Sequence, residues 1–480
     1  MRKTKSRIIN ISLFIFVLFV GFIFSEFVFR SILFSENKAF EKPRNPGDYA
    51  DPDIGENYWK LYYQFDGKNK PPKNPHPLLG WIGFFNPKSY IHNDFRYLKD
   101  KRPILLFGDS FAMCVQESKC FQEILNYDEE FLEDNYFLNY GVGGYGVGQI
   151  SLLSQKTIPH YRKPFVIFSL LTYDLDRSVL SVRTGQKPYY KIEKDSLKLC
   201  GVPIKQNSDD FFENNSPQIR SYLFNKFLFS NLNFFPEKIT SYFKGENEAI
   251  KKKIELNEKI LLEVVDRFRE NNIDFVFVIF HTLKWSLDNF GPEAKNNWRN
   301  VFLKNFLEKN NIPYIWTIDL IEKDTLYDKY DIPKYIIPGN GHPTTYFNTL
   351  IANEMKLKVL EFNEKEKHMM RNNNVEYYSD KMRSSEDWLK KLKEKAEKRK
   401  LSLDEMIRID AEYMVRMRAE KQDTSSNLIY YSDQLEQVIS KISNNPKTVE
   451  TISEKAVHKN KSLSQAIYDE SLYIVSQKQN

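Results

Sequence analysis

The sequence predicts an α/β domain built on a parallel sheet, carried by one N-terminal transmembrane helix and followed by a small all-helical tail. Three observations predict this. Five short apolar runs alternate with helix-spaced apolar residues between residues 101 and 362. An uncharged apolar run of membrane length follows a basic N-terminus. The C-terminal stretch contains a gapless internal repeat.

Arg2, Lys3, Lys5 and Arg7 precede an uncharged run from Ile8 to Ser25, and Phe27, Val28 and Phe29 extend it past Glu26. About 20 apolar residues cross a bilayer as a helix, and a basic flank marks the cytoplasmic end. No small-x-small cleavage site follows, so residues 1–35 are expected to be an uncleaved anchor rather than a removed signal peptide. The rest of the chain is then expected outside the cytoplasm, as a single-pass, membrane-anchored protein. Residues 36–100, rich in Pro, Asn, Lys and Tyr, are expected to be a linker and lead-in that wraps the next domain.

From residue 101 the texture changes. Pro103 to Phe107 is an apolar run ending in Gly108, the signature of a strand buried on both faces. Similar runs occur at Tyr136–Tyr140, Phe165–Leu171, Phe275–Phe280 and Tyr314–Ile318. Between them, Leu261, Val264, Val265 and Phe268 share one helical face, as do Trp298, Phe302 and Phe306. Strands alternating with helices imply a parallel sheet covered on both sides. Residues 178–250 interrupt the alternation with an aromatic-rich insertion, expected to be either a cap over the site or a packing appendage.

Residues 363–480 form the tail. Residues 381–415 and 441–475 align at an offset of 60, matching Glu394-Lys395-Ala396 with Glu454-Lys455-Ala456 and Ser402-Leu403 with Ser462-Leu463. Each unit is expected to be two helices, with Ser402 or Ser462 capping the second. A hairpin pair packing on itself is the simpler expectation; a docking module for a protein partner or the cell envelope is the other.

Composition bounds the function. The chain is 41% hydrophobic and 15% aromatic, so Phe and Tyr do much of the core packing. A net charge of +6, with Lys interleaved among Asp and Glu, argues against a dedicated nucleic-acid binder. Cys114, Cys120 and Cys200 are too few for a disulfide scaffold and lack metal-ligand spacing. One bridge would leave one thiol, and the sequence does not say which. No metal or cofactor is expected.

The chemistry centres on Gly108-Asp109-Ser110, directly after the first strand. A serine there stands in a turn above the sheet, where backbone N–H groups can face a developing oxyanion. Gly108 permits the turn, and Asp109 can hold it with a side-chain hydrogen bond. Cys114, four residues on, reads as a small buried hydrophobe rather than a reactive thiol.

With these residues in place, the chain resembles the SGNH/GDSL hydrolase superfamily over about residues 76–362. The resemblance implies a flavodoxin-like three-layer α/β/α fold and four motif blocks. Gly108, Asp109 and Ser110 match the nucleophile block. Asn139-Tyr140-Gly141-Val142-Gly143-Gly144 resembles the block that supplies the oxyanion-hole glycine, with Gly144 the best match beside Gly141 and Asn139. Gly339-Asn340-Gly341-His342-Pro343 resembles the block that carries the catalytic histidine. The lead-in His76-Pro77-Leu78-Leu79-Gly80-Trp81 also resembles membrane-anchored members.

Two departures stand out. Tyr173, followed by Asp174, occupies the position of the third-block Asn. Asn340, or Gly339 at the other spacing, replaces the carboxylate that orients the histidine, leaving Asp174 or Asp176 as substitutes. An amide can hold an imidazole but stabilises imidazolium less than a carboxylate does. His281, at the end of the fourth strand, is the alternative base.

The resemblance implies a serine esterase or O-acyl-transfer enzyme acting on acyl esters, acetyl esters above all, of envelope or surface glycans. Ser110 would be the nucleophile, His342 the base, and the N–H groups of Ser110 and Gly144 the oxyanion hole. The alternative expectation is a catalytically degenerate, membrane-anchored glycan-binding or assembly subunit.

Overall fold

The computed structural model describes residues 2–35, 37–51, 55–66, 74–99, 101–183, 185–204, 211, 214–229, 246–282, 297–324 and 332–422. In the rest of the tail it describes 438–439, 441–442, 445–458, 466–467, 470–471 and 474.

Helix α1 (Arg2–Leu33) contains the apolar stretch, and its segment Asn10–Leu33 is long and apolar enough to cross a membrane. The lead-in holds α2 (Asn57–Asp66) and a small antiparallel pair, β1 (Pro75–His76) and β2 (Gly80–Trp81). The central sheet begins with β3 (Arg102–Gly108), followed by the short helices α3 (Ser110–Met113), α4 (Phe121–Leu125) and α5 (Glu129–Asp134). Next come β4 (Asn135–Gly141), α6 (Val147–Thr157), β5 (Phe165–Leu171) and α7 (Asp174–Arg177).

The insertion holds a hairpin, β6 (Tyr189–Glu193) and β7 (Ser196–Cys200), and the helix α8 (Tyr222–Phe229). The alternation resumes with α9 (Glu246–Glu270), β8 (Asp274–Phe280), α10 (Trp298–Lys309), β9 (Tyr314–Trp316) and α11 (Thr317–Lys323). Then follow α12 (Thr345–Arg383), α13 (Glu386–Arg399), α14 (Leu403–Gln422) and α15 (Pro446–His458).

The sheet has five strands in the order β4-β3-β5-β8-β9, with every neighbouring pair parallel. Chain order along it is 2-1-3-4-5, one of the common doubly wound orders. Each expected apolar run is a strand; the last is shorter, because Thr317 already begins α11. Side chains alternate across the pleat. Leu105 and Phe107 pack with α6 and α9 on one face, whereas Ile104 and Leu106 pack with α3, α4 and α12 on the other. Both faces are therefore dry, which is why the strands read as unbroken apolar runs.

The expected boundary at residue 362 falls inside α12. This helix buries Phe347, Ile351, Met355 and Val359 against the sheet and then Tyr378 and Met382 against the tail. Asn363 itself is tied into the sheet: it accepts from Arg102 Nη1 at 2.6 Å and donates to Asn135 at 3.0 Å.

The first repeat folds as two helices, α13 and α14. Ser402 and Glu405 form a reciprocal cap: the Ser402 N–H reaches the Glu405 carboxylate at 2.9 Å, and the Glu405 N–H reaches Ser402 Oγ at 3.2 Å. Helix α15 begins the second repeat, and Ser462 lies outside the described residues. Equivalent positions find different partners. Leu392 and Ile407 pack on α12, whereas their counterparts Ile452 and Ile467 join the cluster on the α6–α9 face of the sheet.

The start of the insertion stays beside the strand ends, where Lys187 Nζ donates to the Arg177 carbonyl at 3.0 Å. The β6–β7 hairpin lies on α6 and α9, with Tyr190 over Gly148, and α8 lies on α1. The remainder of the insertion, at 205–210, 212–213 and 230–245, lies outside the described residues.

Candidate active site

The site is assembled at the carboxyl ends of the strands, where open α/β sheets bind ligands. Ser110 opens α3 directly after β3. Asp109 caps that helix: its Oδ1 accepts the Phe111 N–H at 2.9 Å, the turn-holding bond expected from the sequence. A Cβ at Gly108 would strike Ser169 and Ala112, so only glycine lets α3 turn back so closely over the sheet.

His342 comes from a tight loop between Ile336 and Pro343, which bridge each other. The Ile337 N–H donates to His342 O at 2.9 Å, and Gly339 and Gly341 take positive φ values of 76° and 80°. The imidazole spans the gap to Ser110. Its Nε2 lies 2.9 Å from Ser110 Oγ, across 232 residues of sequence, and its Nδ1 lies 2.5 Å from Asn340 Oδ1. An amide oxygen can only accept, so Nδ1 carries the proton and Nε2 is free to accept the serine hydroxyl proton. The Phe111 ring packs on the imidazole at 4.8 Å between centroids. Burial lowers the His342 pKa; the Asp109 carboxylate and the Asn340 bond oppose that shift without cancelling it.

The glycine loop after β4 adjoins the serine. A Cβ built on Gly143 would sit 3.8 Å from Ser110 Cβ, and Gly144 takes a φ of +84°. Among the described residues the N–H groups of Ser110 and Gly144 have no protein acceptor, as an oxyanion hole requires. Gly141 and Asn139 are not open in this way. The Gly141 N–H donates to Asn139 Oδ1 at 2.8 Å, and a Cβ there would strike the Met113 backbone. Asn139 Nδ2 donates to Ala112 O and Gln122 Oε1, both at 2.8 Å, while its carbonyl accepts from His92 at 3.0 Å. Both residues brace the loop through these bonds. Burial holds His92 neutral, with its pKa down at about 4.

The third-block residues occupy a buried ion network. Arg177 Nη1 lies 2.9 Å from Asp109 Oδ2, 2.5 Å from Asp174 Oδ1 and 2.9 Å from the Tyr145 carbonyl. Asp174 also accepts the Leu171 N–H at 2.9 Å. Asp176 is taken by Lys253 at 2.6 Å and Arg299 at 2.5 Å. Neither aspartate bonds to His342, so neither orients the imidazole; the carboxylates whose fields reach it are Asp109 and, less strongly, Glu117. One guanidinium serves two carboxylates here. Burial and then Asp109 push the Asp174 carboxyl well above the ordinary range, while Asp174 and Asp109 keep Arg177 charged against its burial. Tyr173 lies against the Arg299 guanidinium, 4.3 Å from its ring centroid, and makes no hydrogen bond to Ser110 or His342.

His281 does not serve Ser110. Its Nδ1 lies 3.3 Å from Thr317 Oγ1, its Nε2 has no partner, and burial drives its pKa down to about 3. It borders a narrow crevice under the His342 loop, lined also by Phe111, Phe280, Tyr335 and Phe347.

Three features were not assigned from sequence. Arg177 stands three residues after Asp174, a spacing that suggests a helical ion pair, but its second partner Asp109 is 68 residues away. Trp81, from the lead-in, donates its indole N–H to Gly143 O at 2.9 Å and so steadies the glycine loop. The disulfide joins Cys114 to Cys120, just past α3, and leaves Cys200 free.

No family model matches the chain, and no curated protein matches it. Among solved structures, the chain is similar to the crystal structure of protein YxiM from Bacillus subtilis. Identity is 12%, the TM-score is 0.30, and the match covers 55% of this chain and 57% of that one. The match thus spans less than two thirds of the YxiM chain, and a likeness this slight bears on neither fold nor activity.

Proposed function

We propose that the chain is a serine esterase or O-acyl-transfer enzyme of the SGNH/GDSL type, with Ser110 as nucleophile and His342 as general base. The observation that carries this reading is the 2.9 Å contact between His342 Nε2 and Ser110 Oγ, with Nδ1 held by Asn340 in the productive tautomer. His342 takes the hydroxyl proton as Ser110 Oγ attacks the ester carbonyl. The N–H groups of Ser110 and Gly144 receive the oxyanion. The alcohol leaves with the proton from His342, and water or an acceptor hydroxyl then releases the acyl group by the same steps in reverse.

Acylated glycans of the cell envelope are the proposed substrates, and the membrane-spanning α1 is proposed to hold the site outside the cytoplasm. The Cys114–Cys120 bridge supports that side, since structural disulfides persist in oxidising compartments. One observation favours the alternative of a degenerate, binding subunit: the orienting position is an exposed amide, Asn340, rather than a buried carboxylate.

Turnover of p-nitrophenyl acetate and of an acetylated glycan by the purified full chain separates the two. Hydrolysis should fall at least about a thousandfold in Ser110→Ala and in His342→Ala. Equal turnover by wild type and Ser110→Ala, or none by wild type on either ester, sinks the enzyme reading.

A further inference from the structure

The anchor and the aromatic insertion meet at a charged joint. Glu26, on α1, accepts the N-terminal N–H groups of α8: Tyr222 N and Leu223 N at 2.9 Å each, with Ser221 Oγ at 2.8 Å. Arg30, one turn further along α1, pairs with Glu26 at 2.6 Å and donates to the carbonyls of Ile219 and Arg220. The first-turn donors of a helix need acceptors and favour negative charge, so Glu26 caps α8 from another segment of the chain. Aromatic packing backs the joint, with Phe34 on Tyr222 at 5.3 Å and Tyr49 on Tyr222 at 5.7 Å.

The height of this joint decides its surroundings. The apolar segment Asn10–Leu33 has 24 residues, and a helix rises about 1.5 Å per residue. A hydrocarbon layer about 30 Å thick consumes about 20 of them. A crossing that begins at Ile8 therefore ends near Phe27, and one that begins at Asn10 ends near Phe29. Glu26 lies at or just inside the far edge in either case, and α8, fixed to it, lies at the same level. The surface around the joint suits that position: Phe24, Phe27 and Val28 of α1 are 67%, 69% and 40% exposed, and Phe227 of α8 is 43% exposed. Two ion pairs lie at this level, Glu26 with Arg30 and Lys226 with Asp48 at 2.8 Å, while the Arg220 side chain just before α8 is exposed, as a cation facing headgroups would be.

We infer that α8 is a second membrane element, lying in the boundary between headgroups and acyl chains of the bilayer that α1 crosses. This rests on the proposed role of α1 as an anchor. An aromatic helix with paired charges is suited to that layer. The joint continues into the α/β domain. Asn225 of α8 donates to Tyr49 O at 2.8 Å, and Gln218 and Asn57 bond the segment before α8 to α2. Glu56, just before α2, accepts the Ser181 N–H at 2.8 Å, four residues past Arg177. The anchor thus sets the height and orientation of the site as well as tethering it.

The test uses the full chain, carrying Cys200→Ser, in phosphatidylcholine–phosphatidylglycerol vesicles with brominated acyl chains. An environment-sensitive fluorophore is placed in turn on Phe19→Cys, Phe227→Cys and Leu357→Cys, all at exposed positions. The expected result is strong quenching at 19, at least half as much at 227, and none at 357. Quenching at 19 with a water-like, unquenched signal at 227 overturns the inference and leaves the anchor standing. No quenching at 19 overturns the anchor itself, and the inference with it.

Discussion

Ser110 and His342 meet at 2.9 Å, yet they are held by different kinds of structure. Behind Ser110 lies a wholly buried strand, a capping aspartate, a guanidinium shared by two carboxylates, and a glycine loop braced by Asn139 and Trp81. Behind His342 lies a short loop with two left-handed glycines, and the side chains that hold the imidazole are an exposed asparagine and the Phe111 ring. On the serine side, interactions that position the nucleophile also stabilise the fold. On the histidine side, they can position the base with little effect on stability. Substitutions on the two sides should therefore separate stability from rate.

The largest effect is expected at Arg177. Replacing it with Met leaves Asp109 and Asp174 buried without their cation. Removing one partner of a buried ion pair costs about 3–5 kcal/mol. Urea unfolding of the detergent-solubilised chain should report a loss of that size, with ester turnover falling alongside. A variant as stable as wild type would mean that the network is not what holds the turn.

A pair of glycines gives a smaller contrast. A Cβ on Gly141 would lie 2.7 Å from the Ala112 carbonyl carbon, so Gly141→Ala forces α3 away from β4. Overpacking of this kind costs about 1–3 kcal/mol and should displace Ser110. Nothing lies within 4 Å of a Cβ on Gly341, so Gly341→Ala carries only the left-handed backbone penalty, about 1–2 kcal/mol. Gly141→Ala should therefore lose more turnover at equal loss of stability. The comparison fails if the two variants track one another in both measurements.

The same contrast explains what could be read from the sequence. The strands were legible because both sheet faces are dry, which leaves unbroken apolar runs such as Phe165–Leu171. Ser110 and His342 were legible because Gly and Pro punctuate their loops. The role of Arg177 was not, because its partner Asp109 comes from a different strand end. Asp174 and Asp176 were proposed as orienting groups because neighbouring strand ends converge. Their side chains instead point to Arg177 and to Lys253 and Arg299, a direction that residue identity does not encode. The expected boundary at 362 falls within one continuous helix, whose first half serves the sheet and whose second half serves the tail, so composition changes there without a break in the backbone.

The smallest effect on stability should come with the most informative effect on rate, at Asn340. This residue is exposed, so Asn340→Asp should leave the melting temperature within experimental scatter. Its effect falls on the imidazole. His342 must be neutral to act as a base, and its pKa already lies below the ordinary 6.5 because of burial. The wild-type rate should therefore hold to pH values below that figure before its acidic limb falls. A carboxylate on Nδ1 favours imidazolium, so Asn340→Asp should move the limb to higher pH. It should also raise the plateau, because the charge formed when His342 takes the serine proton is now offset. In serine proteases the reverse change costs about four orders of magnitude, chiefly through the wrong tautomer; here the tautomer is already correct, so the gain should be smaller. Both changes should vanish in a Ser110→Ala background. If the plateau rises with no shift of the limb, the added carboxylate acts elsewhere than on His342, and Asn340 is not the residue that orients it.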